Sequence, residues 1–315
     1  MTGFLLRRLV GLAGTLAAAS LVVFVVLEIL PGDPARAILG VDAEAAAVLA
    51  LRSELGLDSP APVRYVRWVG GMLRGDFGTS WTYRIPVVDL VLPRLAVTVP
   101  LAVIAMLLSV TVAIALGLVA ARHHGHGGDL GVMAFSQAGI AMPNFWLGLL
   151  LILLFAVSLG WFPSGGFPGW RDGVGAALWA LVLPAISLAT VQAAILARIV
   201  RAAVLEVSRD DFVRTARAKG LSRRRTLLHH VLRNAMLPTT TVMGMQFSFL
   251  MAGTVVIESV FFLPGLGRLA LQAIANRDLV VVEAVVLLLA AMVIVVNLIV
   301  DLVHRSIDPR LGESR

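Results

Sequence analysis

Six stretches of this chain are each long and apolar enough to cross a hydrocarbon core, and they leave few folds open. They run from about Leu9 to Leu30, Leu95 to Ala121, Gly131 to Phe162, Val174 to Ala197, Leu237 to Phe262 and Val280 to Val303. A helix needs roughly 20 residues for the crossing. Backbone in contact with lipid must satisfy its hydrogen bonds within a helix or a closed barrel, and a barrel would alternate with period two, which these runs do not. The expected fold is all-α: a polytopic integral membrane protein with six transmembrane helices. A mean hydropathy of +0.92 agrees.

Arg7 and Arg8 precede the first run, and Ala35-Arg36-Ala37 resembles a signal-peptidase site. A signal core is typically about 7 to 15 residues, so the longer run here reads as a retained span. The chain has no cysteine, which excludes disulfides, thiolate metal sites and cysteine nucleophiles.

Orientation follows from Lys and Arg on alternate sides. With the N-terminus inside, the inner segments hold sixteen: Arg7 and Arg8, Arg122, ten between 198 and 236, and Arg305, Arg310 and Arg315. Short outer loops hold three, Arg171, Arg268 and Arg277. The 31–94 segment carries seven arginines but is long enough that charge does not govern its translocation. Both termini are therefore expected in the cytoplasm. The linear division is 1–30, the N-terminal end and first helix; 31–94, an outer amphipathic segment with tryptophans at headgroup level; and 95–315, a five-helix core with a cytoplasmic loop at 198–236.

That loop holds ten of the chain's twenty-six basic residues, including its one lysine, Lys219, between two apolar runs. Ser208 with Asp211 reads as a capping box, Gly220 as a helix C-cap, and Ser222 as a second helix start. The result is a helix-glycine-helix elbow beside the bilayer, with Phe212, Val213, Ala216 and Gly220 along one small face suited to docking. Nucleic-acid binding is the weaker reading of the charge, since little aromatic residue is interleaved for base stacking.

No phosphate loop, Gly-x-Ser-x-Gly or His-Glu-x-x-His pattern occurs, so the chain is expected neither to hydrolyse ATP nor to act as a protease. His123, His124 and His126 lack a second ligand set and read as a turn, with no metal site. Pro100, Pro143 and Pro184 lie inside predicted spans, where proline removes a backbone hydrogen bond and kinks the helix. Polar residues within spans are candidates for a solute path: Asn144 after Pro143, and Gln246, Ser248 and Glu258 on the fifth span. Hydrogen bonding between helices is the other use open to each.

Asp211-Phe212-Val213-Arg214-Thr215-Ala216-Arg217-Ala218-Lys219-Gly220-Leu221, followed by Leu232-Arg233-Asn234-Ala235-Met236-Leu237-Pro238, resembles the cytoplasmic loop of ABC-importer permeases. Three further stretches resemble the dipeptide and oligopeptide branch, in the subunit called DppB or OppB: Leu30-Pro31-Gly32-Asp33-Pro34, Pro143-Asn144-Phe145-Trp146-Leu147-Gly148, and Ile257-Glu258 through Pro264-Gly265-Leu266-Gly267. Arg214-Thr215-Ala216 stands where the general loop pattern has Glu-Ala-Ala, and the interval from Gly220 to Pro238 is longer than that pattern allows. Both departures look like the peptide branch.

The resemblance implies a type I ABC importer permease fold in a bacterial plasma membrane. It implies a related second permease subunit, two cytoplasmic ATPase subunits that bind ATP and Mg, and an extracytoplasmic binding protein that delivers dipeptides or oligopeptides. This chain itself would hold no cofactor. Phe212, Val213, Ala216 and Gly220 would dock the ATPase, with Thr215 among them and Arg214, Arg217 and Lys219 as rim charges. Rim charges tune association more than affinity. A nickel-type permease of the same branch is the alternative within the class, and a non-transporting membrane scaffold the alternative outside it.

Overall fold

The computed structural model describes residues 2–29, 33–40 and 43–307. Leu30, Pro31 and Gly32 of the turn after the first span, and Arg310 and Arg315 of the tail, lie outside the described residues. By internal contact the chain falls into two units, Met1–Val99 with Pro264–Val295, and Pro100–Leu263 with Val296–Arg315. The cuts fall at 99/100, 263/264 and 295/296.

The first unit begins with α1 (Thr2–Ile29), followed by the short helices α2 (Pro34–Leu39), α3 (Ala45–Glu54) and α4 (Ala61–Met72). Asp33 starts α2 by accepting a hydrogen bond from the Ala35 N–H at 3.0 Å, with Pro34 at the first position, where its missing donor costs nothing. Phe24 of α1 packs edge-on against Tyr65 of α4 at 5.3 Å between ring centroids and stacks on Trp68 at 6.2 Å. The unit's core joins the first turns of α5 (Val87–Arg122) to segments 266–273 and 281–285 through Val87, Val91, Leu266, Leu269, Val281 and Val285. Buried Asp278 accepts hydrogen bonds from Ser80 Oγ at 2.5 Å and the Thr82 N–H at 3.1 Å. A buried carboxylate needs such donors.

In the second unit α6 (Gly127–Ala141) leads to α7 (Asn144–Leu151), which continues as a π-helix over Ile152–Ser158. The expected single span from Gly131 to Phe162 is corrected here: these two legs meet at 99°. Met142 (φ −85°, ψ 125°) and Pro143 (φ −61°, ψ 135°) are both extended. Proline offers no N–H and pushes its predecessor out of the helical region, so the chain turns rather than kinks. At Pro100 and Pro184, by contrast, the helices run on.

Next come α8 (Val174–Val207), the elbow helices α9 (Asp211–Ala218) and α10 (Arg223–Thr226), a π-helical stretch at Leu227–Val231, and α11 (Leu232–Val260). The remaining helices are α12 (Leu266–Ala275), which the sequence reading takes as loop, and α13 (Leu279–Ile307). Among the described residues five helices are long and apolar enough to span a membrane, or six with the bent pair counted as one span.

Around α8 the second unit packs through small residues. A Cβ on Gly117 of α5 would lie 2.6 Å from Val200, one on Gly139 of α6 3.0 Å from Ala194, and one on Gly148 of α7 3.2 Å from Ser187 Oγ. Close backbone approach of this kind replaces the hydrophobic drive that lipid cannot supply. At the start of α6, Asp129 is buried and bonded to Arg201 of α8, Oδ1 to Nε at 2.5 Å and Oδ2 to Nη2 at 2.7 Å. Its Oδ2 also accepts from the Gly125 N–H, and His124 Nδ1 lies 3.0 Å away.

Candidate coupling elbow and membrane cavity

The elbow forms, with different capping from that expected. Ser208 does not build a capping box: its Oγ donates back to the Val204 carbonyl at 2.5 Å and closes α8. Asp210 stands at the start of α9 and caps it through no side-chain bond. A serine at a helix end can bond backward as readily as forward, and sequence spacing alone does not distinguish the two. The glycine stop is as expected. Gly220 has φ +85°, the Gly220 N–H bonds the Arg217 carbonyl at 2.9 Å, and the Leu221 N–H bonds the Ala216 carbonyl at 3.3 Å. These are the two bonds of a Schellman motif. Ser222 then opens α10 by accepting from the Arg225 N–H at 3.4 Å.

Two residues of the expected docking face are placed elsewhere. Val213 is fully buried and Ala216 nearly so. Val213 packs with Val200 and Val204 of α8 and with Val231 and Ala235 at the start of α11. The periodic stripe is thus the seam that fastens α9 to its own chain, because an apolar residue beside two apolar helices buries itself there first. What α9 and its stop present outward is Asp211, Phe212, Arg214, Thr215, Arg217, Ala218, Lys219 and Gly220. The segment from Arg198 to Val207 belongs to α8, and Arg201 is engaged with Asp129. That pair, which joins residues 72 apart, carries no sequence signal beyond two charges near predicted span ends.

A cavity of about 370 Å³ lies at the break between α6 and α7. Ala141, Met142, Pro143 and Asn144 form one wall, Leu188 and Gln192 of α8 another, and Phe249 and Leu250 of α11 a third. Helix ends leave backbone groups without intrahelical partners, so the break offers carbonyls from α6 and N–H groups from α7. Gln192 is buried at 6% exposure, and its Oε1 has no hydrogen-bond partner among the described residues. Ser187 Oγ donates to the Asn144 carbonyl at 2.6 Å and anchors the first turn of α7 to α8.

Of the four path candidates, only Asn144 lines this cavity. Gln246 is buried on α11 outside this lining, its Oε1 likewise without a partner among the described residues, and Ser248 is half-buried on the same helix. Glu258 is fully buried on the stripe that also holds Thr254 and Ile257. A helix of 29 residues turns its polar groups to several neighbours, and residence on the span does not decide which one faces a path. Gln192 was missed. Its one signal is a single amide in a span whose other polar side chains are the hydroxyls of Ser187 and Thr190.

These positions separate by experiment. Glu258→Leu is expected to lower the amount of assembled protein while leaving uptake per assembled complex unchanged. Gln192→Leu should leave abundance near normal and lower uptake per complex several-fold. The reverse pattern, measured as uptake normalised to membrane protein, would return Glu258 to the path.

Apolar helices, a broken span with a cavity at its break, and a basic elbow outside the spans together define a helical membrane permease. Residues 113–313 match the family described as binding-protein-dependent transport system inner membrane component, and residues 1–102 match its N-terminal family. The chain belongs to this family. It is 40% identical over 308 residues to a probable peptide ABC transporter permease of Sinorhizobium fredii, covering 98% of both chains. It is also 40% identical over 311 residues to the glutathione transport system permease GsiC of Salmonella paratyphi A, and equally so to a putative peptide transport system permease of Brucella suis, covering 99% of each chain. A crystal structure of an amino acid ABC transporter with histidines shares the fold at a TM-score of 0.51 and 18% identity, covering 69% of this chain and 94% of that one.

Proposed function

We propose that this chain is the permease subunit of an ATP-driven importer of short peptides. The observation that carries the reading is end-to-end identity of 40% to permeases named for peptide and glutathione transport. In this reading a second, related permease completes the pathway, and a binding protein delivers the peptide from outside. Two ATPase subunits, which bind the ATP and Mg, grip the outward edge of the elbow at Phe212, Arg214, Thr215, Arg217, Lys219 and Gly220. The protein lies in a bacterial plasma membrane with both termini cytoplasmic.

Support for the coupling comes from shared helices. Val213 seats the elbow on α8 and α11, and the same two helices carry Gln192 and Phe249 to the cavity. Displacement of the elbow by closing ATPases would tilt the cavity's own walls, the kind of rigid-element motion that switches access. Amide and backbone groups at the break suit a peptide, whose bonds offer donors and acceptors at every residue.

The test is reconstitution with the co-purifying subunits, screening dipeptides, oligopeptides, glutathione and nickel for stimulation of ATP hydrolysis. Stimulation by nickel alone would overturn the peptide reading. Failure to co-purify any ATPase would overturn the permease assembly. Orientation has its own measurement, made simple by the absence of native cysteine. Cysteines at Ser53 and Ser164 are expected to react with an impermeant thiol reagent in intact cells, and one at Arg224 only after permeabilisation. Labelling of Arg224 from outside would reverse the topology.

A further inference from the structure

The first unit holds a larger cavity of about 970 Å³ that the pathway described above does not use. Its walls come from the end of α1, from α4, and from the stretch joining α12 to α13. Some of its charges are already matched: Arg52 pairs with Asp33 at 3.0 Å, and Arg64 pairs with Glu28. Others are not. Arg67, Arg277, Asp76 and Glu283 line the cavity without an ion pair among the described residues. Two guanidinium groups and two carboxyl groups therefore share one space, Asp76 Oδ1 also accepting from the Gly78 N–H at 2.9 Å. Arg64 Nε and Trp68 Nε1 are also buried there with no hydrogen-bond partner among the described residues.

The orientation of α4 indicates which kind of molecule this space suits. Val63, Val66 and Leu73, in and just after α4, are exposed at 47%, 69% and 85%, whereas Arg64, Tyr65 and Trp68 are half-buried and Arg67 is exposed. Such a helix turns apolar residues outward and sets Arg64, Arg67 and Trp68 on the cavity, unlike a helix in water. The cavity side is thus built for a polar ligand rather than an acyl chain. Balanced open charge favours a ligand with one charge of each sign, since a net ion would leave part of the lining uncompensated. The volume lies within the range of small-ligand pockets.

We propose that this cavity is a second binding site for short zwitterionic peptides, with the C-terminal carboxylate held by Arg67 and Arg277 and the amino terminus by Asp76 and Glu283. The unpartnered Arg64 and Trp68 donors serve the peptide carbonyls. Fork-shaped guanidinium groups are suited to a carboxylate. The inference rests on the peptide reading above and adds a site distinct from the cavity at the α6–α7 break.

The test uses the complex assembled with its co-purifying subunits, without the binding protein, in phosphatidylcholine nanodiscs, titrated calorimetrically with tetra-alanine. Binding is expected, and N-acetylation or C-amidation should each weaken it about tenfold, the equivalent of one charge-assisted bond. Arg67→Gln combined with Arg277→Gln should abolish the preference for the free carboxylate, leaving tetra-alanine and its amide alike. Asp76→Asn combined with Glu283→Gln should do the same for the free amine. Equal binding of the blocked and free peptides, or preferences that survive both double substitutions, would overturn the site. So would native mass spectrometry showing phosphatidylethanolamine retained by the complex, lost with Arg67→Gln, and blocking tetra-alanine. Uptake of tetra-alanine by the full system is measured alongside. Normal uptake without direct binding removes only this site, whereas no uptake of any peptide removes the reading on which it rests.

Discussion

Gly220→Leu is expected to insert normally and to lose transport, by about tenfold or more per assembled complex. The backbone there has φ +85°, where a residue with a Cβ is penalised by roughly 1–2 kcal/mol. Beyond its two chain neighbours no atom lies within 4 Å of where that Cβ would stand, so the penalty comes from the backbone and not from a clash. Relief requires undoing the two bonds that stop α9, from the Gly220 and Leu221 N–H groups. The exposed residues on either side would then point elsewhere. Asparagine tolerates the left-handed region, so Gly220→Asn should retain most activity. The readouts are co-purification of the ATPase and uptake per assembled complex. Wild-type uptake by Gly220→Leu would show that the elbow's geometry is immaterial to coupling.

The largest loss of stability is expected from Asp129→Ala. Asp129 is 4% exposed and meets Arg201, the Gly125 N–H and His124. Removing Asp129 strands the Arg201 guanidinium, and because Arg201 keeps 22% of its side-chain surface, solvent screening makes the loss smaller than for a fully enclosed pair. A second substitution, Arg201→Leu, should cost little more in the Asp129→Ala background, because the stranded charge is then gone. Thermal unfolding of the purified subunit in detergent measures both. Additive losses would mean that the two side chains act independently.

Much of this architecture is legible in residue order because lipid imposes a simple rule. Long apolar runs become helices, and the ends of α5 and α8 overrun the expected spans by a few turns outside the apolar window. Local signals with one physical solution also read correctly. Gly220 is one, since a helix stop of that kind demands a left-handed residue. Signals with two solutions do not. Ser208 had a helix on both sides, and the stripe of Val213 and Ala216 had a choice of partners, of which its own chain was nearer. Gln192 and the Asp129–Arg201 pair depend on which helices become neighbours, and α6 and α7 turn about Pro143 in a way that periodicity does not express. The candidate path was least legible of all, because a polar residue on a span has several faces available to it.

The glycines around α8 have a mechanical consequence. Gly117, Gly139 and Gly148 come from three helices and meet α8 near Val200, Ala194 and Ser187. Backbones pressed together without long side chains between them have little compliance, since no rotamers stand ready to absorb a strain. From Val204, beside the elbow, to Gln192 is about 18 Å along the axis at the rise of an α-helix. A push delivered at one end of so stiff a strut arrives at the other as displacement rather than being dissipated in side-chain rearrangement. Leucine or phenylalanine at any of those three contacts would push its helix off α8 and leave the strut without that bearing.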